Sequence, residues 1–217
     1  MTLAIFDLDN TLISGDSDYL WGKFLIAQGV VDADYFETQN ERFYADYQKG
    51  TLDIMAYQRF SLAPIAHRPM SELERWHQQF MQDFIKPLYL EKAQALVDKH
   101  RTQGSTLLVI TATNSFVTRP IAKLYGIDNL LGTDPAMKDG QFTGDVDGIP
   151  TFQNGKVERL KIWLKDTGHT LEGSYFYSDS HNDIPLLEKV AHPFVVDADD
   201  QLLAYAKQKN WQSISLR

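Results

Sequence analysis

The stretch Ala4-Ile5-Phe6-Asp7-Leu8-Asp9-Asn10-Thr11-Leu12 constrains this chain more than any other. An apolar run with the character of a short buried strand stops at Asp7, and a turn-forming segment follows that ends in Ser14-Gly15-Asp16. Two carboxylates at i and i+2 therefore leave the end of one strand. In an open α/β sheet, ligands bind outside the carboxyl ends of the strands. The strand end fixes one carboxylate, and the turn beyond it lets the second face the same pocket. The pattern points to an anionic nucleophile, an acid/base partner and a cation that holds them together. The purely structural alternative is a turn on Asp9-Asn10 capped by Asp7.

At 217 residues the chain is one large domain or one domain carrying an insertion. A hydrophobic content of 43% is enough for a sizeable core. The net charge of -8 argues against general nucleic-acid binding through phosphate neutralisation, although a local basic group or a metal can still hold an anion. The absence of cysteine excludes disulfides, thiolate zinc sites and cysteine nucleophiles. No apolar run approaches the roughly 18 residues of a membrane span, and the N-terminus lacks the basic start and apolar core of a signal peptide. The expectation is a soluble cytoplasmic protein, monomer or homodimer, with neither nucleic acid nor membrane as partner.

After the first strand, Asp16 to Lys86 holds almost no β-like alternation and many aromatic residues. Phe36, Phe43, Tyr44 and Tyr47 recur at i, i+7, i+8 and i+11, the spacing of one helical face. Gly29 and Gly50 each end a helix, and Pro64 and Pro69 punctuate a third. The reading is a helical insertion over residues 15–86, with 1–14 and 87–217 forming the main body. From Pro87 the rhythm is α/β. Strands are expected at 106–111, 130–134, 174–178, 192–196 and 213–216, and helices at 90–100, 115–124, 157–165, 184–190 and 202–209. A β-hairpin is expected within 140–155, with Phe142-Thr143 and Ile149 to Phe152 flanking its turn. Alternating strands and helices predict an α/β fold with a doubly wound, mainly parallel, Rossmann-like sheet.

Three further elements accompany Asp7 to Thr11. Thr111 ends a central strand in Val-Ile-Thr-Ala-Thr, Lys156 stands near a helix start, and Asp179 and Asp183 follow a later strand in Ser-Asp-Ser-His-Asn-Asp. In this order, over nearly the whole chain, they resemble the motifs of the haloacid-dehalogenase-like (HAD) hydrolases. The phosphoserine-phosphatase-like branch, subfamily IB, is the nearest in pattern, including its Asn before the last Asp, here Asn182. The resemblance implies a HAD-like core with the insertion as an α-helical cap, and Mg2+-dependent hydrolysis of a small phosphate monoester through an aspartyl-phosphate. In that scheme Asp7 is nucleophile and metal ligand. Asp9 is acid/base and lends its backbone carbonyl to the metal, and Asp179 and Asp183 complete the shell. Thr111 and Lys156 hold the phosphoryl oxygens, with Ala112, Thr113, Asn114 and Asn182 around them. The chemistry is coherent, because a cation shields a phosphate anion from an anionic nucleophile.

The pattern departs from phosphoserine phosphatases in places. Their Ser-Gly-Gly is Thr111-Ala112-Thr113 here, their acidic ammonium-binding residue is matched by the shorter Asp16, and their carboxylate-gripping cap arginine by Arg59. A similar branch of small bacterial proteins, reading Asp-Leu-Asp-Asn-Thr-Leu and Ile-Thr-Ala-Thr-Asn, is associated with histidinol phosphate, and an acidic mouth at Asp16 and Asp18 suits such a cation. Phosphoserine and histidinol phosphate are thus both candidate substrates. Three other classes compete: a phosphotransferase to a small alcohol, a receiver-like signalling module, and a non-catalytic binding protein. The receiver needs no second aspartate and has no helical cap, and the scaffold is expected to lack a motif residue, of which none is missing.

Overall fold

The computed structural model describes residues 2–217. Strand β1 (Leu3–Phe6) is followed by four helices, α1 (Ser17–Ala27), α2 (Ala33–Gln48), α3 (Ile54–Leu62) and α4 (Met70–Phe80). Then come α5 (Glu91–Thr102), β2 (Thr106–Asn114), α6 (Ser115–Leu124), β3 (Asn129–Lys138), β4 (Gln141–Asp147) and α7 (Asn154–Thr167). The chain closes with β5 (Tyr175–Ser178), α8 (Ile184–Leu187), β6 (His192–Val196), α9 (Asp200–Lys209) and β7 (Gln212–Ile214). The strands form one sheet in the order β4-β3-β2-β1-β5-β6-β7, parallel throughout except for the β3–β4 pair.

Strand β1 is apolar at every position because both its faces are covered. Leu3 and Ile5 pack with Leu108, Ile110, Leu160 and Phe176 on one side, while Ala4 and Phe6 join Val109, Tyr177 and the helical residues on the other. The chain builds outward from β1 through β2 and β3, then returns to its other flank as β5. The crevice beside β1 is therefore a topological switch point, where α/β sheets bind ligands.

The helical segment leaves and rejoins the sheet at one place. Ile13 bridges Tyr89, and the Ser14 N–H donates to the Leu88 carbonyl at 3.0 Å. Asp16, Asp32 and Asp53 cap α1, α2 and α3, each accepting a bond from a first-turn N–H. Part of this segment shares the main core: Trp21 packs against Phe24, Phe80 and Phe116 of α6 at ring separations of 5.2, 5.1 and 5.7 Å. Of the predicted α2 face, Phe36 and Phe43 are buried against Phe60, whereas Tyr44 is 54% exposed.

The hairpin lies elsewhere than the sequence reading has it. Its turn is Asp139-Gly140, both at positive φ, between β3 and β4, an arrangement that matches strand twist. Strand β3 runs on through Pro135, which lies beyond the last β2 pair at Thr133 and beside a register shift in its pairing with β4. Ile149 to Phe152 is an irregular loop, not a strand, and its apolar character reflects burial of Phe152. The helix expected over 184–190 stops at Leu187.

Candidate active site

Asp7 follows the last residue of β1, and its N–H is still held by the Tyr177 carbonyl of β5 at 2.9 Å. Beyond it the chain turns sharply at Asn10, whose φ of 54° is tolerated by Asn. That turn lets Asp9 face the same cavity as Asp7, a cavity of about 360 Å³ also lined by Thr111, Ala112, Thr113, Lys156, Asp179, Asn182 and Asp183. Three strand ends and one helix start thus supply the floor.

Lys156 reaches the floor because of a close approach. The Pro150 carbonyl lies where a side chain at residue 155 would begin, 2.0 Å from an ideal Cβ, so only Gly155 permits the first turn of α7 there. The Lys156 amine donates to Asp7 Oδ1 at 3.0 Å and Asp183 Oδ2 at 2.7 Å. Asp183 Oδ2 also accepts from Ser178 Oγ at 2.7 Å, and Asp179 Oδ1 from Thr11 Oγ1 at 3.1 Å.

The cluster carries more negative charge than one amine balances. Burial pushes the Asp7 carboxyl up to about 7, Lys156 opposes the rise, and Asp183 and Asp9 add to it. Asp179 is held well above the carboxylate range by burial and by Asp7 and Asp183. Burial lowers the Lys156 amine, but Asp183 and Asp7 outweigh it and keep the amine charged. Crowded carboxylates of this kind fit a hard cation. Among the described residues no group of three or more acidic or histidine side chains is arranged to hold a metal ion by itself.

The sequence profile of the haloacid dehalogenase-like hydrolases matches residues 4–188. The chain belongs to the haloacid dehalogenase-like hydrolases. A histidinol-phosphatase of Neisseria meningitidis serogroup C is 45% identical to this hydrolase over 99% of each chain. A crystal structure of a protein of unknown function from Bordetella pertussis Tohama I superposes with a TM-score of 0.93, at 40% identity over 100% of both chains. A substrate-bound phosphoserine phosphatase shares the fold, with a TM-score of 0.71 at 21% identity over 98% of this chain and 92% of that one.

Above the floor, the walls of the hydrolase cavity come largely from α1, α2 and α3. Asp18 accepts from Tyr57 OH and Ser61 Oγ, both at 2.9 Å. Asp16 accepts from the Asp18 and Tyr19 N–H groups of α1. Burial pushes Asp9, Asp16 and Asp18 each up to about 6, and every one of the three is raised further by another of them. Among the described residues, Lys156 is the only Lys or Arg lining this cavity.

Two residues that the sequence reading assigns to the substrate lie away from the cavity. Arg59 is on the outer side of α3, its side chain 61% exposed and paired with Asp145 at 3.4 Å. The family pattern assigned it to a substrate carboxylate, but two residues on from Tyr57, which lines the cavity, a helical side chain faces the opposite way. Asn114 is buried as the cap of α6, its Oδ1 accepting from the Val117 N–H at 3.1 Å.

A further group escaped the sequence reading. Gln153, at a φ of 47°, donates to Asn182 Oδ1 at 2.8 Å and the Gly50 carbonyl at 3.3 Å. Tyr47 OH donates to Ser180 Oγ at 2.9 Å, and Asn182 Nδ2 to the Tyr47 carbonyl at 3.3 Å. The end of α2 is thereby tied to the loop after β5. His181 holds Asp199 Oδ2 through Nδ1 at 2.9 Å, beside the cavity. A glutamine in a loop carries no local sequence signal, and only the strained φ at 153 marks it.

Proposed function

We propose that this hydrolase is a Mg2+-dependent phosphatase that cleaves a small phosphate monoester through an aspartyl-phosphate on Asp7. The observation that carries the reading is the convergence of Asp7, Asp9, Asp179 and Lys156 at the switch point beside β1. Asp7, Asp179 and the Asp9 backbone carbonyl would hold the Mg2+, with Asp183 beside them. The donor set is all oxygen and leaves room for water, as this ion requires. The bound ion offsets the charge of carboxylate and phosphate.

An Asp7 carboxylate oxygen attacks phosphorus, and the bond from phosphorus to the ester oxygen breaks. Asp9 gives its proton to that leaving oxygen, then takes one from the water that attacks the aspartyl-phosphate; inorganic phosphate leaves and Asp7 is regenerated. Thr111 and Lys156 hold the phosphoryl oxygens, where charge accumulates.

The chamber over the floor selects the alcohol. Its carboxylates Asp16 and Asp18, the second of them buried, its tyrosines, and the outward course of Arg59 favour a cationic alcohol without a carboxylate. Histidinol phosphate fits this description better than phosphoserine, and the Neisseria relative supports it. The helical segment 15–86 acts as the cap.

Phosphate release from a panel containing histidinol phosphate, phosphoserine and 4-nitrophenyl phosphate, with Mg2+ and with EDTA, tests the reading. Histidinol phosphate should be cleaved best, and only with metal. A preference for phosphoserine overturns the substrate assignment; no release from any ester overturns the activity.

A further inference from the structure

We propose that Thr113 is a positioning residue that aims the acid/base carboxyl of Asp9, rather than a ligand of the substrate. The Thr113 hydroxyl donates to Asp9 Oδ2 at 2.9 Å, and the Ser17 N–H at the start of α1 donates to Oδ1 at 2.6 Å. Both oxygens of one carboxyl are thus engaged, from two different elements.

A backbone N–H only donates, so it stays on Oδ1 in both protonation states. Each carboxyl oxygen keeps a second lone-pair position that can carry the proton, and with Thr113 donating to Oδ2 the two bonds together fix the plane of the carboxyl and the directions in which it can present that proton. When the bond from phosphorus to the ester oxygen breaks, the proton passes from the carboxyl to the leaving oxygen.

Thr113 is itself held. It is buried, and its N–H donates to Thr111 Oγ1 at 3.2 Å. The carbonyl before it, that of Ala112, accepts from Gln58 Nε2 at 3.1 Å and Thr133 Oγ1 at 2.9 Å. Strand β2 has a register shift between Ile110 and Asn114, the kind of irregularity that re-aims a side chain.

The proposal rests on the acid/base reading of Asp9, and leaving-group dependence separates the two. The kcat/KM value reports steps up to release of the alcohol, so it isolates the first proton transfer. An alkoxide leaving group needs the proton; 4-nitrophenolate does not. Wild type, Asp9→Asn, Thr113→Val and Thr113→Ser are compared on histidinol phosphate and 4-nitrophenyl phosphate. Thr113→Val should lower kcat/KM on histidinol phosphate about 10- to 100-fold, a part of the general-acid effect, and on 4-nitrophenyl phosphate less than about threefold. Thr113→Ser, which keeps the hydroxyl, should stay near wild type on both. Activity on the aryl ester also reports that the valine variant is folded. An equal loss on both esters with Thr113→Val, as for a phosphate ligand, or no loss on either, overturns the proposal while a selective Asp9→Asn defect leaves the acid/base reading standing. An Asp9→Asn defect equal on both esters, or a wild type that cleaves neither, overturns that reading and the proposal with it.

Discussion

The Lys156 amine and the Asp7 carboxylate, 149 residues apart in the chain, form a buried ion pair of 3.0 Å. Both groups are buried, and the amine also binds the Asp183 carboxylate beside the pair at 2.7 Å, so the three charges are coupled. Removing one partner of a buried pair costs far more than the pair itself contributes.

Lys156→Ala should abolish turnover and destabilise the metal-free protein by about 3 kcal/mol at pH 8. The cost should shrink at pH 5, where Asp7, pushed up to about 7, is protonated and leaves less charge uncompensated. Urea unfolding at the two pH values measures this. An equal loss at both would show that the lysine acts only through packing.

Asp7, Asp9, Asp16 and Asp18 titrate at about 7, 6, 6 and 6 in the folded protein, against about 3.9 in an unfolded chain. The folded state therefore holds more protons than the unfolded state between about pH 4 and pH 7, and these groups subtract stability as pH rises through that window. The metal-free protein should show a falling contribution to Tm from pH 5 to pH 8. Mg2+ should raise Tm more at pH 8 than at pH 5. A metal effect independent of pH would contradict binding at these carboxylates.

Asp7→Asn should keep the fold, since Lys156 retains the Asp183 carboxylate at 2.7 Å as a partner and one of several mutually repelling carboxylates is removed. It should still lose at least roughly 10³-fold in rate, because nucleophile and metal ligand go together. Circular dichroism and phosphate release on the same sample check both halves. Turnover near the wild-type rate would remove Asp7 from the attacking role.

Arg59→Ala should change kcat/KM by less than about twofold and stability by no more than about 0.5 kcal/mol, as for an exposed ion pair. Asp18→Asn should lower kcat/KM on histidinol phosphate by about tenfold or more, the loss of one charge-assisted contact, and leave 4-nitrophenyl phosphate nearly untouched. A large defect in Arg59→Ala would mean that this side chain turns inward on the substrate.

The elements that build the floor were legible as local pattern. A continuous apolar run ending in Asp7 reads as a buried strand with a carboxylate at its tip, and Asp179 is read in the same way, because strand ends and turn residues depend on near neighbours in sequence; Thr111, expected to end its strand, lies within β2, which runs on to Asn114. The parallel α/β layout follows from the same alternation. Pairings between elements were not legible. That Arg59 turns to Asp145, that Asn114 caps α6, and that Thr113 bonds Asp9 depend on which surfaces meet. Helical period specifies the face of its own helix and is silent about what that face meets. The position of Lys156 depends on the Pro150 carbonyl touching Gly155, and the tie between α2 and the β5 loop on a hydroxyl pair from Tyr47 and Ser180, 133 residues apart. Such contacts are decided by close packing of the whole chain, where a shift of one element moves every partner it touches.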